Sequence, residues 1–258
     1  VSGGVSFKQE GTNFTDSLLV GHTTTGTLST ATDNTGVGID ALNAITSGDN
    51  NTAVGADAGG AVTTSKENTV VGAEAFITAT TGTGANTAVG FRALKDSTGE
   101  GNTAIGKDAG ENIAGGHYNI CLGHDAGQNI TSGGGNVIIG KTDAAAADSA
   151  RTLKIVTNDG STSVTQLAGD GSGNLTTVGD LTIGGDLTVS GDDITMATNT
   201  SGAALIADGT NFNPVVISGD ISIGTDGAAS IAANSVDGTH IALGSDAQGD
   251  IMYYNGTN

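Results

Sequence analysis

The chain has 258 residues, with 44 glycines, one proline, no tryptophan and 3% aromatic residues. So few large side chains exclude one thick globular core, while a hydrophobic content of 36% in regular places excludes a disordered chain. The net charge is −19 and every lysine and arginine lies at or before Lys154, which excludes nucleic acid and anionic membrane surfaces as partners.

Residues 1–16 are predicted to form an N-terminal strand or linker. The sequence opens at Val1 without a methionine or a signal-like segment, so we expect a fragment or a processed product. No stretch approaches the roughly 18 consecutive apolar residues of a membrane span, and we expect no membrane insertion.

A repeated pentad of the type Asn-Thr-Ala-Val-Gly fills residues 17–145. Such a short unit cannot bury its apolar side alone, so successive units must stack at the strand spacing of about 4.8 Å. The sequence therefore predicts a parallel β-roll, or β-solenoid, of about eight 17-residue coils, with the first residues of the pentads stacked as an amide ladder. The copies begin at Ser17, Asn34, Asn51, Asn68, Asn86, Asn102, Asn119 and Asn136.

The third and fourth pentad places predict which strand face is inward. The fourth place is always branched and apolar, as in Val54 and Ile105, and is predicted to be core. The third place is small or apolar, as in Ala53, and this face is predicted to be covered by a neighbour. Cys121 takes the third place, which predicts a small buried residue and, as a lone cysteine, excludes an intrachain disulfide.

An acidic residue followed by alanine returns after most pentads, as in Asp57-Ala58. We predict that this pair lies on a second short strand with the alanine inward, because a narrow coil has room for little more than a methyl group. Glycine-rich links such as residues 47–50 and 132–135 are predicted to close each coil, since they supply the positive φ that tight corners need.

The repeat resembles a known kind of surface protein. Asn51-Thr52-Ala53-Val54-Gly55-Ala56-Asp57-Ala58 and its copies, over about residues 17–145, resemble the head repeats of trimeric autotransporter adhesins and similar repeats of phage fibres. The resemblance implies a parallel β-roll in which three chains pack side by side. It implies no ligand residue, because the shared motif is architectural.

Residues 146–178 are predicted to be a shoulder or connector. The run Asp143–Asp148 suggests a short helical turn or shoulder, residues 152–156 a strand, and residues 169–174 a turn. The domain boundary is therefore predicted near residue 145.

Residues 179–258 carry a shorter period, in which Gly-Asp-Leu-Thr recurs six residues apart at Gly179 and Gly185 and is echoed at Gly219. Alternation such as Leu181-Thr182-Ile183 predicts short strands that have no partner sheet within their own chain. Three chains wrapped together would close the core and the edges, so we predict an intertwined trimeric β-shaft, truncated at its C-terminus. This segment, with residues 249–256, resembles the shafts of phage tail fibres.

The formal phosphate-loop match at residues 135–142 is attributed to the repeat. A true phosphate loop needs a flexible loop and a following helix, whereas Val137-Ile138-Ile139 has the composition of a strand. An acidic column offers an alternative as a calcium site, but we favour a solvated edge because its spacing matches no calcium motif and Arg92 interrupts it. The column consists of Asp40, Asp57, Glu74, Asp108 and Asp125.

No catalytic, cofactor-binding or metal-ligating residue is assigned, and the chain is predicted not to be an enzyme. The histidines are scattered and predicted to lie in exposed loops, and Phe76 is predicted to be core because it replaces leucine in the repeat. The remaining aromatic candidates for sugar stacking are few. The histidines are His22, His117, His124 and His240, and the aromatic candidates are Phe91, Phe212, Tyr253 and Tyr254.

The sequence thus favours a homotrimeric structural segment of a virion tail fibre that projects a host-binding tip. The expected partners are copies of itself, other tail or fibre proteins, and a host glycan or protein bound through a region outside this chain. A trimeric adhesin on a bacterial cell surface is the alternative, and a metal- or ice-binding β-solenoid is a further one. Ice binding would need flat threonine rows facing water, and these give way to Ile120 and Val137 in the last coils.

Overall fold

The computed structural model describes residues 7–8, 13–21, 27–78, 84–159, 161–184, 188, 203–207, 212–217, 221–223 and 228–233. These residues contain strands and turns but no helix, which confirms the predicted all-β class. The chain divides into two compact units, Val1–Thr182 and Ile183–Asn258.

Fourteen strands are described in the first unit, and most of them contain only three residues because each coil turns a corner directly after its strand. Their bounds are β1 Phe7–Lys8, β2 Phe14–Thr15, β3 Leu18–Val20, β4 Ala31–Thr32, β5 Thr35–Val37, β6 Thr52–Val54, β7 Thr69–Val71, β8 Thr87–Val89, β9 Thr103–Ile105, β10 Ile120–Leu122, β11 Val137–Ile139, β12 Leu153–Asn158, β13 Ser163–Gly169 and β14 Leu175–Thr177.

One parallel strand per repeat builds the main sheet. Strands β3 and β5 to β11 pair in parallel and in register, so that Val37 lies beside Val54 and Val54 beside Val71. The predicted parallel β-solenoid of about eight turns is confirmed, including the divergent first copy at β3. A separate two-stranded parallel pair, β2 with β4, lies at a corner of the first coils.

The predicted amide ladder is confirmed, and it is buried. Asn51 Nδ2 donates to Asn34 Oδ1 at 3.0 Å, and the backbone N–H of Asn51 donates to the same oxygen at 3.0 Å. The second Nδ2 hydrogen of Asn51 is donated to the Ser65 carbonyl at 2.9 Å. Ser17 Oγ begins the ladder below Asn34, and the N–H of Thr152 ends it on Asn136. These contacts satisfy buried polar groups that would otherwise cost about 1–3 kcal/mol each.

The predicted inward and outward faces of the strands were wrong. The third pentad place faces the interior, because its residues are fully buried or 1% exposed, whereas Val54 and Ile105 in the fourth place are 39% and 41% exposed. The interior is too narrow for a second layer, so small residues such as Ala53 fill it. The buried third-place residues are Leu19, Gly36, Ala53, Val70, Ala88, Ala104, Cys121 and Ile138.

One interior column combines large side chains with glycines. Leu42 leans into the space above Gly59, where an added Cβ would lie 3.1 Å from the leucine Cδ2, and Leu94 fills the corresponding space at Gly110. Phe76, predicted to be core, is fully buried in the same column. Large side chains that lean into the space left by glycines of neighbouring coils fill the interior without a wide cross-section.

The acidic-alanine pair lies in a turn, so the predicted second strand is wrong. The alanines are nevertheless inward, as Ala58 and its equivalents are fully buried. The residue before each alanine has left-handed backbone geometry, with φ of 56° at Asp57. Its N–H donates to the preceding coil, from Asp57 to the carbonyl of Ile39 at 2.8 Å. Aspartate tolerates this conformation better than most residues, which explains its recurrence here.

Each pentad ends in a glycine that no other residue could replace without strain. Gly55 has a φ of 137°, and a Cβ there would lie 2.7 Å from the carbonyl carbon of Gly72 in the next coil. The predicted corner links also supply positive φ, at Asn50 and Gly135. Glycine therefore permits both the sharp corner and the close stacking of coils.

The sheet runs past residue 145 before it is capped. Strand β12 pairs in parallel with β11, placing Leu153 beside Val137, and β13 and β14 then add antiparallel strands. Residues 143–148 contain bends and a turn, so the suggested helical turn is absent there, while the predicted strand at 152–156 and turn at 169–174 are present. At the other end, β1 pairs antiparallel with β3.

The second unit contains two described antiparallel pairs. Strand β15 Ala203–Ala207 pairs with β16 Phe212–Val216, and β17 Ile221–Ile223 pairs with β18 Ala229–Ile231. Leu181 to Ile183, predicted to be a strand, are not in one. Residues 185–187 and 219–220 of the predicted shaft repeats, and the segment 249–256, lie outside the described residues.

Candidate functional site

The outer face of the parallel sheet carries an uninterrupted apolar column. Each coil contributes its fourth pentad residue, and the side chains stack because the strands are in register. Five of them are 39–42% exposed. We call this set the outer column; it consists of Val20, Val37, Val54, Val71, Val89, Ile105, Leu122 and Ile139.

A second row runs beside the outer column at the second pentad place. Its residues are threonine in five successive coils and then become apolar at Ile120, which is 43% exposed, and Val137. Together the two rows form a flat face roughly 40 Å long at the strand spacing of a parallel sheet. The outer column is the apolar part of this face, and large contiguous apolar patches mark interaction surfaces. The threonines are Thr35, Thr52, Thr69, Thr87 and Thr103.

Arg92 takes the acidic position in its coil and forms ion pairs with two carboxylates of the next coil. Its Nε is 2.7 Å from Asp108 Oδ1, and its Nη1 is 3.3 Å from Glu111 Oε1. Lys107 Nζ is 2.5 Å from the other Asp108 oxygen. Burial disfavours the Asp108 carboxylate, but the hydrogen bonds from Arg92 and Lys107 outweigh it, and the pKa of Asp108 lies below its ordinary value.

The same corner brings together three groups that could hold a metal ion, namely Asp108, His124 and Asp125, whose ligand atoms lie within 4.8 Å of one another. Cations already occupy these carboxylates, since Lys141 Nζ is 3.4 Å from Asp125 Oδ2 and Arg92 and Lys107 bind Asp108. A divalent ion would have to displace two or three of them. The arrangement fits an ion-pair network better than a calcium site, which needs six to eight oxygen ligands.

Other sequence candidates are dispersed. Strand β11 occupies the middle of the phosphate-loop match, as predicted, and β12 follows it rather than a helix. His117 and His124 are exposed, as predicted, while His22 and His240 lie outside the described residues. Burial raises the pKa of the Cys121 thiol to about 12, which makes it unreactive. Phe91 is 40% exposed, with the Arg92 guanidinium 5.1 Å from its ring centre.

The side chains of Phe212, Tyr253 and Tyr254, the other aromatic candidates, lie outside the described residues. Sequence reasoning missed Tyr118, which is the most exposed aromatic residue of the described coils at 64%. The available signal was its place directly before Asn119, where the other coils carry polar or small residues, or Arg151 at the last turn.

Comparison with protein-family models, with curated proteins and with solved structures gives no match. Among the described residues, no helix is long and apolar enough to cross a membrane.

Proposed function

We propose that this chain is a structural, self-associating fibre segment, in which three copies pack through their outer columns. The observation that carries the proposal is the apolar face along the whole length of the roll. Five of the outer-column side chains are 39–42% exposed in the single chain. Packing them against the same column of another copy would remove apolar surface from water and so stabilise the association.

The register of the sheet supports identical partners. A flat column repeating at every coil presents the same spacing to a second and a third copy, so contacts made at one coil are repeated at all of them. The strongly negative charge opposes association elsewhere on the surface and leaves this uncharged face as the favoured contact.

The biological setting we propose is a virion tail fibre that spans from the particle to a host-binding tip, with other tail or fibre proteins as partners and an intertwined trimeric shaft after the roll. Receptor contact with a host glycan or protein would be made by a region outside this chain. We assign no catalytic role. The alternative setting is a trimeric adhesin on a bacterial cell surface.

The decisive measurement is the mass in solution by light scattering. A trimer has three times the 25.0 kDa mass of the chain. Val54→Asp and Ile105→Asp place a charge in the outer column and should yield a folded single chain, whereas Asp57→Asn, on an exposed corner, should remain trimeric. A wild-type chain that is folded at 25 kDa would refute the proposal.

The setting is tested by electron microscopy with antibodies raised against residues 34–140. Labelling along fibres of purified virus particles supports the virion setting. Labelling of bacterial surfaces in the absence of particles supports the adhesin instead.

A second candidate function, ice binding, is favoured by the outward threonine row, which lies on a flat face with one threonine per coil from Thr35 to Thr103. Self-association and ice binding would both use this face, and a face buried in a trimer cannot bind ice. The mass in solution therefore distinguishes the two functions. Thermal hysteresis in a monomeric wild-type sample, lost in Thr69→Leu, would establish the ice-binding function.

A further inference from the structure

A groove of about 450 Å³ lies at the corner where the coils enter their strands. It forms because the residue before the pentad changes size along the axis. In four successive coils this residue is Glu67, Ala85, Gly101 and Tyr118. The two small residues in the middle leave a gap, and the Tyr118 side chain closes one end of it. All four have left-handed backbone geometry, with φ of 56–66°. The residues that precede this column, Thr64 to Lys66, Gly84 and Glu100, complete the lining of the groove.

Tyr118 is a fixed wall of this groove rather than a mobile surface residue. One side of its ring packs on Gly101, where an added Cβ would lie 2.6 Å from the ring Cδ1. Its hydroxyl donates to Glu100 Oε1 at 2.8 Å. This bond to Glu100 raises the pKa of the Tyr118 hydroxyl, so the ring stays neutral. The side chain is nevertheless 64% exposed, which leaves ring surface open to a ligand.

The backbone conformation makes an aromatic residue here unfavourable. A bulky residue with positive φ costs of order 1 kcal/mol or more and is seldom found without a structural or functional reason. The ring fills no part of the core, since it lies outside the buried columns. Tyrosine at this position therefore points to a role at the surface.

The polar groups that line the groove can bind the hydroxyls of a sugar, with Glu100 beside the Tyr118 ring and Lys66 and Glu67 at the opposite end. Glu67 and Glu100 supply exposed carboxylate acceptors, and Lys66 supplies an ammonium donor, already 2.7 Å from Asp49 Oδ2. An aromatic face that stacks on the C–H face of a pyranose, beside groups that bind its hydroxyls, is a general mode of small-ligand recognition. The carboxylates outnumber the ammonium group, which disfavours sialylated or sulfated sugars.

We infer that the groove between Glu67 and Tyr118 binds a neutral pyranose saccharide, with the Tyr118 ring as the stacking platform. This site is on the roll itself and is independent of the outer column. The fibre segment would then contact a glycan along its length as well as through a region beyond it.

Saturation-transfer NMR with lactose, maltose and N,N′-diacetylchitobiose tests this inference, with sialyllactose as the charged comparison. The wild-type chain should transfer saturation to at least one neutral disaccharide and at least fivefold less to sialyllactose. Tyr118→Ala should abolish the transfer, and Phe91→Ala, which removes the other exposed aromatic of the described coils, should retain it.

Ala85 already occupies the equivalent place with a φ of 56°, so Tyr118→Ala should melt within a few degrees of the wild type, and circular dichroism checks this. No transfer from the wild type to any of the three neutral sugars would overturn the inference. So would equal transfer from Tyr118→Ala, or a preference for sialyllactose. The light-scattering mass reports the fibre proposal separately, so failure of one proposal is distinguishable from failure of the other.

Discussion

The inner and outer faces of strands β5 to β11 differ in how residue size varies from coil to coil. On the inner face, residue size varies from Gly36 to Ile138, and each residue is matched to the space left by the coils above and below. On the outer face, the fourth-place residue is branched in every coil, although this face stays partly exposed in the described coils and does not restrict side-chain size as the interior does. The difference shows that uniform hydrophobicity along a solenoid does not mark its interior. In this chain it marks the outward face of the sheet.

The largest effect is expected from a charge on the inner face. Ala53→Asp buries an unpaired carboxylate where the side chain is fully enclosed, at a cost of several kcal/mol. We expect the coils around it to unfold, as measured by circular dichroism and limited proteolysis. The adjacent Val54→Asp is the matched control and should keep its β-signal. Equal proteolytic resistance of the two variants would contradict the assignment of the faces.

A smaller effect is expected from breaking the amide ladder inside the roll. Asn119 Oδ1 accepts from the backbone N–H and Nδ2 of Asn136 at 3.0 and 2.9 Å. Asn119→Ala leaves the Asn136 N–H and the Gly133 carbonyl without these partners, which should cost about 3 kcal/mol in the free energy of unfolding.

Urea unfolding measures this loss. Ser132→Ala, at an exposed position of the same coil, is the control and should change stability by less than about 0.5 kcal/mol. An Asn119→Ala chain as stable as this control would show that the ladder is dispensable.

The smallest effect, of opposite sign, is expected at Ser97. Its hydroxyl is buried without a hydrogen-bond partner, in a place that other coils fill with Ile45, Val62, Ile113 or Ile130. Ser97→Ala removes the unpaired group and should stabilise the fold by about 1 kcal/mol. Thermal unfolding would detect this increase, and the exposed Ser132→Ala should show none. A lower melting temperature for Ser97→Ala would mean that the hydroxyl has a partner.

The coil number, the parallel register and the amide ladder could be predicted because each depends only on the period of the sequence. The inward face of the strands could not be predicted in this way. Hydrophobicity favours Val54 over Ala53 as the core residue, whereas the narrow interior selects residues by volume and holds the smaller side chain at this coil. The turn at Asp57-Ala58 was missed because its left-handed geometry depends on hydrogen bonds to the previous coil. The residues of the outer column were identified from the sequence as one repeating group, but they were predicted to face the core and they face outward. Tyr118 required knowledge of the small residues at Ala85 and Gly101 that stack beneath it.

The amide ladder also affects how the length of such a solenoid can change. Each ladder asparagine accepts a hydrogen bond from the asparagine of the following coil and donates hydrogen bonds to the asparagine of the preceding coil. A coil inserted between two others could therefore form the same hydrogen bonds on both of its sides. Coils of 16 and 18 residues already keep the backbone-to-side-chain link, at Asn102 and Asn86. Duplication or deletion of a whole repeat would therefore lengthen or shorten the rod in steps of about 4.8 Å and leave both caps as they are.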